Sequence, residues 1–214
     1  MPIRKHNPGI PDSIRIPRRP LRQVIFFSIT ALMLAGVVCD RVTHVSPQQD
    51  DHARYHDRSF RVVRVVDGDT VDIDVPDGGK SVTRIRLWGV DTPELARSPG
   101  GEMYFGPEAS SFAKRTLTDR TVHVVLSSDR TRGKYGRLLA YLYMERGGRM
   151  FNEMLLEEGY AYADLRFGHH YHRQFKAIEK RARRAGRGLW ASVTLEQMPK
   201  WKQRFERRKA STGD

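Results

Sequence analysis

Three short segments of this chain contain the acids and arginines that cleavage of a phosphate ester needs. They are Asp67-Gly68-Asp69-Thr70, residues 86–94, which begin with Arg86 and end in Asp91-Thr92-Pro93-Glu94, and Lys134-Tyr135-Gly136-Arg137. Carboxylates can hold a divalent cation, a further acid can act on a water molecule, and guanidinium groups can bind the charged oxygens of a phosphate. The residue types therefore predict metal-assisted hydrolysis of a phosphodiester, which is the reaction of a nuclease.

Each of these segments also has a simpler interpretation. Asp-Gly-Asp at residues 67–69 is an ordinary turn signal between two strands. An EF-hand loop does not fit, because Val71 and Asp72 stand where that loop needs a ligand and a glycine. Taken singly, Glu94 could be a solvated loop acid and Arg86 a solvated strand arginine. The combination of acids with two arginines is what favours the chemical interpretation.

The elements that must position these residues follow from periodicity and turn signals. β-branched or alternating runs predict strands, and helical spacing with Pro near the start or Gly after the end predicts helices. The predicted strands are 60–66, 70–75, 82–90, 122–126 and 138–143, and the predicted helices are 107–117, 151–158 and 171–185. This order predicts an α+β fold, an OB-like five-stranded antiparallel β-barrel with about three helices.

Composition sets the size and charge of the molecule. With 214 residues and 39% hydrophobic content, the chain is long enough for one globular domain with terminal extensions. Its formal net charge of +13 favours a polyanionic partner such as DNA or RNA, although membrane-surface proteins share this property. Cys39 is the one cysteine, so no internal disulfide can form.

The amino terminus has the pattern of a signal or anchor. Residues 1–22 are basic and residues 23–39 carry no charge. As a helix, residues 23–39 span roughly 25 Å, slightly less than the roughly 30 Å of a hydrocarbon core. A cleaved signal peptide and an uncleaved signal anchor are both compatible with this pattern. Either one keeps residues 1–22 in the cytoplasm and exports the rest to the periplasm or beyond, with possible membrane association through 23–39.

Residues 40–57 are polar and lack periodicity, which predicts a linker before a nuclease domain at 58–190.

A basic amphipathic tail follows at 191–214. Its apolar residues have helical spacing, and basic residues flank them. The apolar stripe is Leu195, Met198, Trp201 and Phe205. The tail can pack on the domain, or its basic flank can rest on nucleic acid or anionic lipid, and the sequence leaves these alternatives open.

The motifs resemble those of the staphylococcal nuclease (thermonuclease) family. The resemblance rests on Val-Val-Asp-Gly-Asp-Thr-Val at 65–71, on Arg-Leu-x-Gly-Val-Asp-Thr-Pro-Glu at 86–94, on Tyr-Phe-Gly-Pro-Glu-Ala-Ser at 104–110, and on Lys-Tyr-Gly-Arg-x-Leu-Ala-Tyr at 134–141. These motifs occur in the family's order and spacing from about residue 60 to 190. The resemblance implies an OB barrel that holds one calcium ion at its mouth.

The resemblance also implies a role for each motif residue in metal binding. Asp69 and Asp91 would supply carboxylates to Ca2+, and Thr92 would supply its backbone carbonyl. Hard oxygen ligands favour Ca2+ over zinc or copper on general chemical grounds.

Catalytic and substrate-binding roles follow from the same resemblance. Glu94 would be the general base or would orient the attacking water, and Arg86 and Arg137 would bind the scissile phosphate. Lys134 and Tyr135 would contact the nucleotide, although Tyr135 could equally pack in the core or at the rim. The implied reaction cleaves the 5′ P–O bond of DNA or RNA and leaves 3′-phosphate ends.

Two features depart from this picture or qualify it. Residues 165–172 lack the family's tyrosine-rich pattern, and their histidines, His169, His170 and His172, are expected to lie in solvent rather than bind metal. A pH-dependent contact with phosphate is a further interpretation of these histidines. The alternative to an enzyme is a catalytically inactive nucleic-acid-binding OB module tethered to the membrane, which would be expected to lack one of the acids or arginines.

Overall fold

The computed structural model describes residues 47–96, 100–128 and 130–211. The chain divides into two units at residue 45, and the fold described below is that of the second unit, 45–214. The predicted basic segment 1–22 and the signal or anchor at 23–39 lie outside the described residues. Within the described ranges, no helix is both long enough and apolar enough to cross a bilayer.

The described residues form a small barrel surrounded by helices. The strands are β1 Arg58–Val65, β2 Thr70–Ile73, β3 Thr83–Leu87, β4 Val90–Asp91, β5 Thr121–Leu126, β6 Leu138–Tyr143 and β7 Tyr162–Ala163. The helices are α1 Pro47–Tyr55, α2 Gly106–Leu117, α3 Phe151–Glu157, α4 His172–Arg184 and α5 Lys200–Ser211, with a short 3-10 helix at Gly188–Ala191. Five strands close into a barrel in the order β1-β2-β3-β6-β5, and β4 pairs with β7 in a separate two-stranded sheet.

The barrel confirms the predicted α+β class and the five strands, but the prediction that it is wholly antiparallel was wrong. β3 and β6 run parallel, with Ile85 opposite Leu138 and Arg86 opposite Leu139. The other four pairings in the ring are antiparallel. The reason is one of parity, because strand directions around a closed ring can alternate completely only when the number of strands is even.

Alternation of side chains builds the barrel interior. Val62, Val71, Ile73 and Ile85 are buried and belong to one apolar core together with residues of β5, β6 and α3. The hairpin between β1 and β2 closes where the Val66 amide donates to the Thr70 carbonyl at 2.8 Å. The turn predicted at residues 67–69 is therefore present, and it places Asp69 directly before β2.

The linker prediction was wrong for residues 47–55, which form α1. Tyr55 is fully buried, and its hydroxyl lies 3.0 Å from Thr83 Oγ1 in β3. Asp51 is also buried; it accepts a 2.7 Å hydrogen bond from Thr131 and pairs with Arg132 at 2.6 Å. Hydrophobic periodicity could not reveal this helix, because polar contacts provide most of its attachment.

The domain also continues past residue 190, where the predicted boundary lies. The described chain continues to residue 211 and ends in α5, and Met198 joins a second apolar cluster that includes Tyr162, Leu189 and Trp190. Lys202 and Gln203 are buried as well. Packing on the domain is therefore the correct one of the alternatives for the apolar stripe, although Phe205 remains exposed.

Candidate active site

The hairpin turn, β3 and β4 bring the predicted acids and the first arginine together. Thr70 lies opposite Arg86 across β2 and β3, and the Leu87 amide donates to the Asp69 carbonyl at 2.8 Å. The chain then turns at Gly89 into β4, which carries Asp91. Residues separated by more than twenty positions thus meet at one end of the barrel.

A cavity of about 540 Å3 opens at this end. Seven of the eight predicted site residues line it, namely Asp69, Arg86, Asp91, Glu94, Lys134, Tyr135 and Arg137. Thr92 is the exception and lies behind Asp69. The structure therefore brings the predicted set together around a single cavity, while the chemical role of each residue remains a prediction.

Arg86 connects the two aspartates that the sequence predicts as metal ligands. One terminal nitrogen of its guanidinium lies 2.5 Å from Asp69 Oδ2, and the other lies 2.6 Å from Asp91 Oδ1. The same side chain donates to the Val90 carbonyl at 3.0 Å. Arg86 is thus a largely buried cation held between the buried carboxylate of Asp69 and the largely buried carboxylate of Asp91. It is not the solvated strand arginine of the simpler interpretation.

Thr92 fixes Asp69 from the other side. Its amide and its hydroxyl donate to Asp69 Oδ2 at 2.8 and 3.0 Å. A Cβ added to Gly68 would lie 2.7 Å from the Thr92 hydroxyl oxygen, so glycine at this turn is required by the close approach. The predicted contribution of the Thr92 carbonyl to a metal stays a prediction.

Burial governs the ionisation of both aspartates. It raises the pKa of Asp69 to about 6, because the positive charge of Arg86 offsets the loss of hydration only in part. Burial also raises the pKa of Asp91, again against the opposing charge of Arg86 and with the help of the negative charge of Asp69. The charges of Arg86 and, at Asp91, of Arg166 therefore do not fully compensate the two carboxylates, and additional positive charge at this place would favour their ionised forms.

The donor set fits a hard divalent cation, with a limited number of protein ligands. Two carboxylates, Asp69 and Asp91, lie around the same guanidinium, and backbone carbonyls and water are the further oxygen donors that such ions accept. Across the described residues, no group of three or more His, Cys, Asp or Glu side chains has the arrangement of a metal site.

The remaining predicted residues lie around the mouth of the cavity. Glu94 is exposed, and its carbonyl accepts the Met103 amide at 2.9 Å, which holds the loop in place. Arg137 is half-buried, and burial together with the charge of Arg86 lowers the pKa of its guanidinium. Tyr135 is 76% exposed, so it does not pack in the core, and its ring lies 5.7 Å from the Lys134 ammonium and 5.9 Å from the Arg137 guanidinium carbon.

The prediction that the histidines lie in solvent holds for His170 and is wrong for His169. His170 is exposed, whereas His169 Nε2 is buried and without a hydrogen-bond partner among the described residues. His169 Nδ1 lies 3.2 Å from the Tyr141 hydroxyl, and a Cβ on Gly89 would come within 2.5 Å of the ring. Burial lowers the pKa of His169 to about 4, so its neutral ring is part of the wall behind the turn that leads to Asp91.

Two residues that contact Asp91 were not predicted as part of the site. Arg166 lies 3.2 Å from Asp91 Oδ1 and 2.8 Å from Asp164 Oδ2. The Trp201 indole Nε1 donates to Asp91 Oδ2 at 2.7 Å across 110 positions of sequence. Contacts of this range are set by the tertiary fold, and neither residue belongs to a local motif that would have indicated it.

The fold and the cavity agree with the match of a protein-family model. The model described as staphylococcal nuclease homologue matches residues 84–192, which include Arg86, Asp91, Glu94 and Arg137. The chain belongs to the staphylococcal nuclease homologue family.

Individual relatives are similar to this chain over more residues than that match covers. The chain is 35% identical over 138 residues to the thermonuclease of Staphylococcus hyicus, covering 64% of this chain and 78% of that protein. It is 38% identical over 136 residues to the thermonuclease of Staphylococcus intermedius, covering 63% and 77%. It is 31% identical over 149 residues to the micrococcal nuclease of Shigella flexneri, covering 66% and 78%.

Proposed function

We propose that this protein is a Ca2+-dependent nuclease that hydrolyses phosphodiester bonds of DNA or RNA with little sequence specificity and leaves 3′-phosphate ends. The observation that carries the proposal is the convergence of Asp69, Asp91, Glu94, Arg86 and Arg137 on one cavity. The names of the relatives, thermonuclease and micrococcal nuclease, support the same activity. An inactive binding module is disfavoured, because the complete set of acids and arginines is present.

Charge supports a nucleic acid as the substrate. The net charge of +13 enriches a polyanion near the surface. At the cavity mouth, the exposed Tyr135 ring lies beside Lys134, which offers a surface for a base or sugar next to a cation for its phosphate. A contact that uses the backbone and a stacking ring does not read base edges, which agrees with low sequence specificity.

The two arginines are suited to bind the scissile phosphate. Both line the cavity, and a planar guanidinium matches two phosphate oxygens better than an ammonium group does. Arginine keeps its proton at neutral pH even in a buried site, so both groups carry charge where negative charge develops during attack at phosphorus.

The metal in this proposal is held by Asp69 and Asp91, with the Thr92 carbonyl and water as further ligands. A bound Ca2+ would supply positive charge at the reacting phosphate. Thr92 contributes in a second way, because its amide and hydroxyl fix Asp69 Oδ2 through two hydrogen bonds. The carboxylate is thereby oriented before any ligand arrives.

Glu94 is the proposed general base, or the residue that orients the attacking water. It lines the same cavity as both arginines but lies at the exposed rim, where water has access. A carboxylate in this position can accept a proton from water as the water attacks the phosphorus atom. The attack forms a bond from the water oxygen to phosphorus and breaks the bond to the leaving 5′ oxygen.

An assay of the purified full-length protein on single-stranded DNA and on RNA, with Ca2+ and then with a chelator, tests the proposal. We expect digestion to 3′-phosphate ends with Ca2+ and loss of digestion when the chelator is added. Digestion that continues unchanged in chelator would contradict the calcium mechanism, and an absence of digestion under all conditions would contradict the enzymatic function.

We also propose that the nuclease acts outside the cytoplasm, either exported or anchored through residues 23–39. The support is the sequence pattern of a basic segment followed by an uncharged apolar one. A comparison of the mature protein with its precursor by mass distinguishes cleavage from anchoring, and recovery of the protein in the cytoplasmic fraction would contradict export.

A further inference from the structure

The C-terminal helix α5 contacts the candidate active site through Trp201. The indole Nε1 donates to Asp91 Oδ2 at 2.7 Å, and the guanidinium carbon of Arg166 lies 4.6 Å from the centre of an indole ring. Trp201 lies beyond residue 192, where the family-model match ends. No residue of α5 lines the cavity.

A buried ion pair attaches α5 at the residue next to Trp201. The Lys202 side chain is 1% exposed, and its ammonium lies 2.8 and 2.7 Å from the two carboxylate oxygens of Glu179 in α4. Four aromatic rings, those of Tyr162, Trp190, Trp201 and Phe205, lie within 6.0 Å of the ammonium. A buried charge held in this way is costly to displace, so the start of α5 is firmly located.

The same ion pair is tied to the strand that carries Asp91. Glu179 Oε1 also accepts the backbone amide of Ala163 at 3.0 Å, and Ala163 lies opposite Val90 in the two-stranded sheet. One connected set of contacts therefore leads from α5 through α4 and β7 to β4. This connection places the indole N–H against the Asp91 carboxylate with little freedom.

The two oxygens of Asp91 have different partners. Oδ1 is contacted by Arg86 at 2.6 Å and by Arg166 at 3.2 Å, whereas Oδ2 accepts the indole N–H of Trp201. Because Arg86 also contacts Asp69, Oδ1 is the oxygen that is turned toward the other proposed metal ligand. The indole therefore fixes the rotation of the carboxylate about its Cβ–Cγ bond.

We propose that Trp201 is a positioning residue of the nuclease site, which holds Asp91 in the orientation that binds Ca2+ and makes cation affinity dependent on the C-terminal helix. This inference rests on the proposed function, because it concerns the same metal site. Trp201 acts through Asp91 and does not line the cavity.

The substitution Trp201→Phe removes the N–H group and keeps an aromatic ring against Arg166. We expect the Ca2+ dissociation constant, measured by titration calorimetry without substrate, to rise roughly tenfold, which is the scale of one hydrogen bond to a carboxylate. We further expect kcat to fall at low Ca2+ and to recover as Ca2+ is raised. A role limited to packing would not produce a loss that calcium restores.

Trp190→Phe is the matched control, because the Trp190 indole is buried in the same apolar cluster but its Nε1 has no hydrogen-bond partner among the described residues. This variant should bind Ca2+ with the affinity of the unmodified protein. An equal loss of affinity in both variants would overturn the proposal in favour of general packing.

A second variant covers the case in which Trp201→Phe does not fold. Replacement of Trp201 by 3-benzothienylalanine keeps the shape of the indole and exchanges only its N–H for sulphur, and it should give the same loss of Ca2+ affinity. Unchanged affinity in either folded variant, with an active unmodified protein, overturns the role of Trp201 alone. If the unmodified protein neither binds Ca2+ nor cleaves nucleic acid, the proposed function fails and this inference fails with it.

Discussion

Two acid–arginine clusters lie next to each other along β3 and have opposite electrostatic properties. In the first, Asp72 of β2 pairs with Arg64 at 2.6 Å and with Arg84 at 2.8 Å. In the second, two residues further along β3, Arg86 pairs with Asp69 and Asp91. The first cluster has two cations for one acid. In the second, Arg86 lies between two acids, and Arg166, which also contacts Asp91, is paired with a third acid, Asp164.

Solvent exposure enlarges this difference. The side chains of Arg64 and Arg84 are 60% and 43% exposed, whereas that of Arg86 is 14% exposed. Burial disfavours the ionised form of Asp72, but hydrogen bonds from Arg84 and Arg64 outweigh it and hold its pKa below the usual value. For Asp69 the balance is reversed and the pKa is raised. The sign of the excess charge thus distinguishes an ion pair that stabilises the fold from an ion pair that holds a binding site.

The largest expected effect comes from removing Arg86, with removal of Arg84 from the Asp72 cluster as the control. Arg86→Gln should lower kcat about 10^3-fold, because a preorganised cation at the developing phosphate charge is lost. Arg84→Gln should leave kcat within about twofold, since its guanidinium does not line the cavity. Single-turnover cleavage of an oligonucleotide measures both, and similar losses in the two variants would remove the distinction between the clusters.

A smaller but still large effect on kcat is expected for Glu94, the acid at the exposed rim of the cavity. Glu94→Gln should reduce kcat about 100-fold, the usual range for a general base, with little change in nucleotide binding. Asp72→Asn is the control from the other cluster and should retain turnover in the fraction that is folded. Equal losses of turnover and nucleotide affinity in Glu94→Gln would rule out the proposed role of Glu94.

Opposite pH dependences of stability are expected for the two clusters in metal-free protein. The pKa of Asp69 is raised from 3.8 to about 6, so its ionisation destabilises the fold, and stability is lost as pH rises between these values. Asp69→Asn should therefore gain stability relative to the unmodified protein as pH rises through this interval, and the gain should reach about 3 kcal/mol at pH 7.

Asp72→Asn should behave in the opposite way. The pKa of Asp72 is lowered from 3.8, so its stabilisation is complete above that value and is lost as pH falls through the lowered value. The variant should be less stable at pH 7 by about 1–2 kcal/mol and should match the unmodified protein in strong acid. Urea unfolding in chelator across this pH range measures both variants, and a common sign would contradict the assigned charge balance.

The smallest effect is expected for single arginines of the Asp72 cluster. Arg64→Gln or Arg84→Gln should each lower the free energy of unfolding by about 0.5 kcal/mol, because the other arginine still pairs with Asp72. The double variant leaves a buried carboxylate without a cation. Its loss of unfolding free energy should therefore exceed the sum of the two single losses by about 1 kcal/mol or more. Additive losses in a double-mutant cycle would show that the two arginines do not share the acid.

Local sequence features were sufficient to predict the parts of the site that lie in motifs. The Asp-Gly-Asp turn, the alternation of β3 and the Asp-Thr-Pro-Glu segment each specify a short stretch of backbone, and the cavity residues follow from these stretches. The ends of α3 and α4 agree with the glycines after them, since Gly159 and Gly186 have positive φ.

The features that sequence reasoning missed depend on polar contacts over long separations. Examples are Asp51 in α1, Lys202 in α5 and Trp201 beside it. Their hydrogen-bond partners lie 23 to 110 positions away in the sequence. A lysine with helical spacing among other basic residues gives no sign that four aromatic rings will enclose it. Hydrophobic periodicity detects apolar burial, so it is insensitive to helices that are attached by ion pairs and hydrogen bonds.

The parallel junction between β3 and β6 has a chemical consequence. Strands that run the same way have corresponding ends at the same side of the barrel, so Leu138, the first residue of β6, lies opposite Ile85. Arg137 comes directly before β6 and Arg86 directly after Ile85, which delivers the two guanidiniums to neighbouring positions from distant parts of the chain. An odd number of strands therefore does more than close the sheet, because the parallel junction that it requires brings Arg86 and Arg137 to the same cavity.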